Sequence, residues 1–231
     1  MKIIENITPD KQYNQWAEEH DTLTVSGYDA QSRASFYSQF TFDTAGKKLL
    51  DIACGSGHDL SHYQNAMRCD SHGVDASEKE AELANQRLGS ERVKVGWAHA
   101  LPYEDQSFDI VTCKYAPQGF PSIADFYKEV ERVLRPGGYF LILATHPTRH
   151  FREKTEAPRD YFKKEIVTSW IYDRALPLQE YSYTMNDYFS PFFLEHFTLE
   201  SYLEEYDEHG GVEKVDDEKY PAYFIYRARK K

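Results

Sequence analysis

What this chain lacks narrows its possibilities first. It has only three cysteines in 231 residues, Cys54, Cys69 and Cys113. They form no Cys-x-x-Cys pair and have no matched histidines, so neither a disulfide framework nor a structural metal site is expected. Positive charge is scarce: 27 Lys and Arg stand against 38 Asp and Glu, a formal net charge of −11. Nucleic-acid binding needs a basic footprint. The one basic cluster, Arg227, Arg229, Lys230 and Lys231, reads as a solvated tail. No apolar run approaches the ~20 residues of a membrane span. Met1 to Asn6 is too short and too polar for a signal peptide. There is no internal repeat and no low-complexity tract. The expectation is a reduced, cytoplasmic protein, monomeric or homodimeric, with no metal and no nucleic-acid partner. The length suits one α/β domain with an added subdomain.

What is present concentrates at Leu49-Leu50-Asp51-Ile52-Ala53-Cys54-Gly55-Ser56-Gly57-His58-Asp59. The apolar start reads as a parallel strand covered on both faces. Gly55 and Gly57 let the backbone turn tightly and approach a ligand with no Cβ in the way. A helix from about His58 would point its free N–H groups at that ligand. A dinucleotide fingerprint wants a third glycine three residues after the second, and Leu60 stands there. Asp51 repels a pyrophosphate but suits a ligand carrying positive charge. Gly73-Val74-Asp75-Ala76-Ser77 ends a second strand with an acid, at about the spacing of a ribose-binding carboxylate. A ribose without a pyrophosphate, on a cationic ligand, describes S-adenosylmethionine.

Three further segments extend the pattern: Ala98-His99-Ala100-Leu101-Pro102-Tyr103-Glu104-Asp105-Gln106-Ser107-Phe108-Asp109-Ile110-Val111, then Glu129 to Leu141 with Arg135-Pro136-Gly137-Gly138 inside it, and Pro221 to Ala228. Together the four resemble the class I S-adenosylmethionine-dependent methyltransferases, in the subgroup acting on small molecules such as quinones, lipids and secondary metabolites. The resemblance runs from about Lys47 to Leu143 and resumes weakly at the C-terminus. It implies a Rossmann-like seven-stranded α/β sheet, mostly parallel with a C-terminal antiparallel hairpin, flanked by helices. It also implies an N-terminal helical lid and an insertion after strand 5, all in a single domain. The lid would be 1–45, the cofactor-binding core 46–145, the substrate-recognition insertion 146–206 and the hairpin 207–231.

The resemblance also assigns roles. Ala53, Cys54, Gly55 and Gly57 would wrap the methionine portion of the cofactor, and Asp51 would assist its amino end. Asp75 would accept from both ribose hydroxyls, and Ala76 would lie against the adenine. Ala98 matches the position whose backbone N–H meets the adenine. The residue before it is usually Asp, and here it is Trp97. Trp97 stacks on or edges the base, or His99 takes the polar role, or Trp97 simply packs at the strand end. Cys113 and Lys114 close the fourth strand near the sulfonium, although a solvated lysine is an equal reading. Tyr28 and Arg33 fall where relatives place a lid tyrosine and a partner for the cofactor carboxylate, or else anchor and solvate the lid helix. Tyr115-Ala116-Pro117-Gln118 lacks the Asn/Asp-Pro-Pro-aromatic motif of nucleic-acid and protein amide N-methyltransferases.

Local signals place the remaining elements. Ser77-Glu78-Lys79-Glu80 is a capping box for a helix that stops at Gly89. Ile123, Phe126, Val130 and Val133 share one face of a helix opened by Ser122 and ended by Arg135-Pro136-Gly137-Gly138. Tyr139 to Thr145 is the fifth strand, Thr198 to Glu208 the last helix, ended by Gly210-Gly211. Val212–Val215 and Ala222–Arg227 would pair as the edge hairpin. The insertion is dense in rings: Tyr161, Phe162, Trp170, Tyr172, Tyr181, Tyr183, Tyr188, Phe189, Phe192, Phe193 and Phe197. Two or three of them would line a pocket for an aromatic or amphipathic molecule, the rest packing the insertion itself.

The activity expected is transfer of a methyl group to an O, N or C atom of such a molecule by in-line displacement, leaving S-adenosylhomocysteine. Positioning of this kind is worth roughly 7–11 kcal/mol. A general base helps only a nucleophile that arrives protonated. His146, just past the fifth strand, is a candidate by position, with Tyr188 and His196 as further ones. Two other classes stay in view. A nicotinamide oxidoreductase is opposed by Leu60 and by Leu101-Pro102-Tyr103. A non-catalytic cofactor-binding partner subunit is kept open by Trp97.

Overall fold

In the computed structural model, which describes residues 8–24, 29–172, 175–206 and 220–231, the polar N-terminus folds as α1 (Pro9–Thr24) and α2 (Ala30–Tyr37). Apolar runs and capped helices then alternate: β1 (Lys48–Ile52), α3 (His58–Asn65), β2 (Asp70–Asp75), α4 (Glu78–Leu88), β3 (Val93–Val95) and β4 (Phe108–Lys114). A 3-10 turn at Pro117–Gly119 leads into α5 (Ile123–Val133) and β5 (Leu134–Thr145). Beyond it come α6 (Pro147–Glu153), β6 (Ile166–Ile171), β7 (Leu176–Tyr181), α7 (Met185–Tyr188), α8 (Pro191–His196), β8 (Phe197–Glu205) and β9 (Tyr223–Lys230).

Among the described residues, seven strands make one sheet in the order β3-β2-β1-β4-β5-β9-β8, and β6 pairs with β7 apart from it. All pairs up to β4–β5 are parallel, while β9 runs antiparallel to both neighbours. This is the Rossmann-like sheet with a terminal antiparallel hairpin that the sequence led us to expect. No helix among the described residues is long and apolar enough to cross a membrane.

The core forms where the periodicity places it. Ile123, Phe126, Val130 and Val133 of α5 are buried, as is Tyr127. Each such side chain contributes about 1.5–3 kcal/mol through burial. Tyr127 keeps its hydroxyl satisfied on the Tyr188 carbonyl and the Tyr226 hydroxyl, each at 2.9 Å, as a buried phenol must. Gly73 in β2 is there for close packing. A Cβ would stand 2.6 Å from Cys54 Sγ and 2.7 Å from Leu60 Cδ1. Gly73→Ala is therefore expected to destabilise the protein by about 1–3 kcal/mol, read as a lower urea midpoint at unchanged slope.

Three local expectations are corrected. Ser77 caps α4 by accepting from the Glu80 N–H at 3.2 Å. The return bond of a capping box is not made, because the Glu80 carboxylate turns to His20 Nδ1 at 2.9 Å. Arg135 to Gly138 is a bulge inside β5, since Leu134 already pairs with Phe108 and pairing resumes at Tyr139 with Ile110. The segment read as a last helix is the edge strand β8. Leu199, Tyr202 and Leu203 fit a helical face, but antiparallel pairing from Phe197↔Lys230 to Glu205↔Tyr223 decides the matter. Gly210-Gly211 and Val212–Val215 lie outside the described residues.

Candidate active site

The C-terminal ends of β1, β2 and β4 open on one cavity of about 210 Å³, walled also by α1 and by the β6–β7 hairpin. Ligands of doubly wound sheets sit outside the carboxyl ends of the strands in this way. The turn after β1 is built from left-handed residues: Ala53 at φ 56°, Gly55 at φ 51° and Gly57 at φ 80°. Gly57 is doubly required, because a Cβ there would fall 2.9 Å from Ala84 Cβ on α4. Its tight fit lets α3 start at the very next residue.

Asp75 ends β2 nearly buried, at 8% exposure. Its Oδ2 accepts the Gly55 N–H at 2.8 Å and its Oδ1 the Ser77 N–H at 2.9 Å. The two bonds lock the carboxylate against the glycine turn and leave each oxygen further lone pairs. Burial pushes Asp75 up to about 6, opposed by the Ser77 bond and reinforced by the charge of Glu80. Asp51, on β1, accepts from Thr112 Oγ1 at 2.7 Å. Burial, with the charge of Asp59 next, pushes it up to about 8.

Lys114 at the end of β4 is buried in a charge cluster. Its Nζ lies 2.9 Å from Asp29 Oδ2 and 3.1 Å from Asp59 Oδ2. Arg33 joins both carboxylates, at 2.8 Å to Asp29 and 3.4 Å to Asp59, and Tyr37 donates to Asp59. Burial works to raise Asp59, but Lys114 and Arg33 outweigh it and hold it below the usual carboxylate range. Helix α1 is strapped over the turn. Asn14 Oδ1 accepts from Ser77 Oγ at 2.7 Å, Asp21 meets Ser56 and His58, and Arg87 reaches Asp21. His58 is thus a structural tie between α3 and α1, held below its ordinary range by burial and by Arg87.

Of the residues singled out from sequence, Asp51, Ala53, Cys54, Gly55, Asp75 and Ala76 line this cavity. Gly57 shapes the turn beneath it. Cys113 is fully buried just behind the wall, where Lys114 takes its place. Arg33 is committed to Asp29 and Asp59 rather than to the wall. Trp97, Ala98 and His99 lie outside the cavity lining. Trp97 forms a bridge with Ala100, is 37% exposed and tilts against His99 at 5.8 Å. Tyr28 falls outside the described residues. His146 is not brought to the cavity. It caps α6 by accepting the Thr148 N–H on Nδ1 at 3.1 Å, and its Nε2 pairs with Glu204 at 3.1 Å. Both ring nitrogens are spent, so the structure offers it no role as a base.

The rings are redistributed too. Of the insertion's aromatics only Tyr172 is in the wall, joined by Tyr13, Tyr115, Phe120 and Tyr223 from elsewhere. Tyr183, Tyr188, Phe193 and Phe197 are core. Sequence reasoning passed over Gln12 and His20 of α1, and Arg149 and Glu180 on the far wall, and it met Tyr13 and Gln118 without giving either a place in the site. None lies in a motif, and only the topology brings them together.

The wall fits a compact, cationic, ribose-bearing ligand. Asp51 supplies negative charge once it loses its proton, the glycine turn lets backbone approach, and the locked Asp75 carboxylate keeps lone pairs for hydroxyl donors. Residues 50–142 match a protein-family model described as "Methyltransferase domain". Phthiotriol/phenolphthiotriol dimycocerosates methyltransferase 1 of Mycobacterium ulcerans is 33% identical over 149 residues, 60% of this chain and 55% of that protein. Demethylmenaquinone methyltransferase of Lactococcus lactis is 36% identical over 114 residues, 46% of this chain and 45% of that protein. The chain thus spans about half the length of the curated relatives it matches. A solved S-adenosylmethionine-dependent methyltransferase from Mesorhizobium loti superposes with a TM-score of 0.68 at 17% identity, covering 88% of this chain and all of that one. At that identity the likeness is one of fold.

Proposed function

We propose that this chain, whose residues 50–142 match a methyltransferase-domain model, is a class I S-adenosylmethionine-dependent enzyme that methylates an O, N or C atom of a small aromatic or amphipathic molecule by in-line displacement. The observation that carries the reading is Asp75. It is buried, braced by the Gly55 and Ser77 N–H groups, and placed in one cavity with Asp51 and the glycine turn. S-adenosylmethionine, when bound, supplies an electrophilic methyl group on a sulfonium with a good leaving group. The chain's own residues would do the rest. Asp75 would hold the ribose diol, Asp51 would face the amino end, and the glycine turn would meet the methionine portion with backbone groups. The strap of α1 would help exclude water and fix the approach, and positioning of this kind is a large part of the rate advantage.

Relatives named for demethylmenaquinone and for phthiotriol and phenolphthiotriol dimycocerosates support a small-molecule acceptor. The net charge of −11 supports the same reading over nucleic acid, in a cytoplasmic protein acting as monomer or homodimer. Calorimetric titration with S-adenosylmethionine, S-adenosylhomocysteine and NADH tests it. Binding of the first two with none of the third is expected. No binding of either adenosyl compound would sink the enzyme reading.

A further inference from the structure

The far wall of the cavity carries two buried hydrogen-bond acceptors, Gln118 and Glu180. Gln118, in the 3-10 turn after β4, is 2% exposed. Its Nε2 donates to the Tyr115 carbonyl at 2.9 Å and to Glu180 Oε1 at 3.2 Å. Both partners only accept, so the amide orientation is fixed and both its hydrogens are used. Its Oε1 is then left buried with no partner. Glu180, on β7, is 4% exposed and lines the same cavity. Its Oε2 meets His150 Nε2 at 3.0 Å, and the carboxylate keeps lone pairs for a ligand.

The nearby cations have strong partners of their own. Arg149 gives its Nη2 to the Trp170 carbonyl at 2.7 Å and its Nε to Glu153 at 3.1 Å. Lys114 is taken by Asp29 and Asp59. An unpaired buried acceptor is costly, and a ligand that brings a donor removes that cost. An anionic head group in the same place would meet Glu180, which is kept ionised against burial by His150 and then Arg149. Phe120, Ile171, Tyr172 and Leu178 supply apolar wall beside the two acceptors.

We propose that Gln118 Oε1 and Glu180 form an acceptor pair that selects methyl acceptors bearing a hydroxyl or amino donor on an aromatic body over carboxylate or phosphate heads. This rests on the methyltransferase reading and deepens it by naming the substrate class. His150 is a positioning residue that holds Glu180.

The test saturates the protein with S-adenosylhomocysteine and titrates three fragments, followed by ligand NMR line broadening. Catechol carries two donors, 1,2-dimethoxybenzene has the same ring with none, and benzoate is the anion. Catechol is expected to bind at least about tenfold more tightly than either, the effect of a hydrogen bond to a charged group. Glu180→Gln and, independently, Gln118→Met are expected to cut that preference to under about threefold, with S-adenosylhomocysteine affinity unchanged. Equal affinity for catechol and 1,2-dimethoxybenzene overturns the proposal, as do tighter benzoate binding, no catechol binding, or a preference that survives both substitutions. Failure of S-adenosylhomocysteine to bind strikes the cofactor reading instead, and the fragment series repeated without it still decides the pocket.

Discussion

Replacing Asp75 by Ala is expected to weaken S-adenosylmethionine binding by about two orders of magnitude or more. The carboxylate is the one acidic group at the end of β2, and it is locked in place by the Gly55 and Ser77 N–H bonds. A charge-assisted bond to each ribose hydroxyl is worth about 1.5–3 kcal/mol, so losing the pair removes several kcal/mol of binding. Two effects are separable. Ala also frees the Gly55 N–H and loosens the turn, whereas Asp75→Asn keeps one acceptor and a similar shape. The expected order of affinity is wild type, then Asn, then Ala, by calorimetry at fixed pH. Affinity unchanged in the Ala variant would sink the ribose assignment, while equal losses in both variants would place the effect in charge alone.

The parts of the site that were readable in the sequence are those dictated by local backbone chemistry. Gly55 and Gly57 announce left-handed turns because almost nothing else adopts them cheaply, and both have positive φ. Asp75 was legible because a strand ends there and the cap of a helix, Ser77, follows two residues later. The parts that were not readable depend on partners distant along the chain. Lys114 looked as much like a surface lysine as a functional one until Asp29 and Asp59 were found around it. His146 had the right place on the chain, but capping of α6 and Glu204 on β8 claim its ring. The pocket rings were sought in the aromatic-rich insertion, yet Tyr188 packs on Phe224 at 4.8 Å and belongs to the core. Segment β8 fits either period by its side chains, and only β9 beside it selects the strand.

Asp51→Asn is expected to stabilise the ligand-free protein at pH 8 while weakening its hold on S-adenosylmethionine. In the native state burial pushes Asp51 up to about 8 from an ordinary 3.8. Between those values the native protein keeps a proton that the unfolded chain has released. The native state binds more protons, so stability falls as pH rises through this window. Above it the whole cost of the buried charge is carried. Asn keeps an acceptor for the Thr112 hydroxyl and has no charge to bury. The gain is on the order of a few kcal/mol at pH 8 and shrinks towards pH 4, seen as converging urea midpoints. Binding has the opposite sign. An ionised Asp51 attracts the cofactor's ammonium, so wild-type affinity rises from pH 6 to 8 as the proton leaves, and Asn flattens that rise. Asp75, at about 6, titrates at the lower edge of the same range. Opposite signs in stability and affinity exclude general unfolding as the cause. No gain at pH 8 would mean that Asp51 ionises at little cost and is not the site's buried charge.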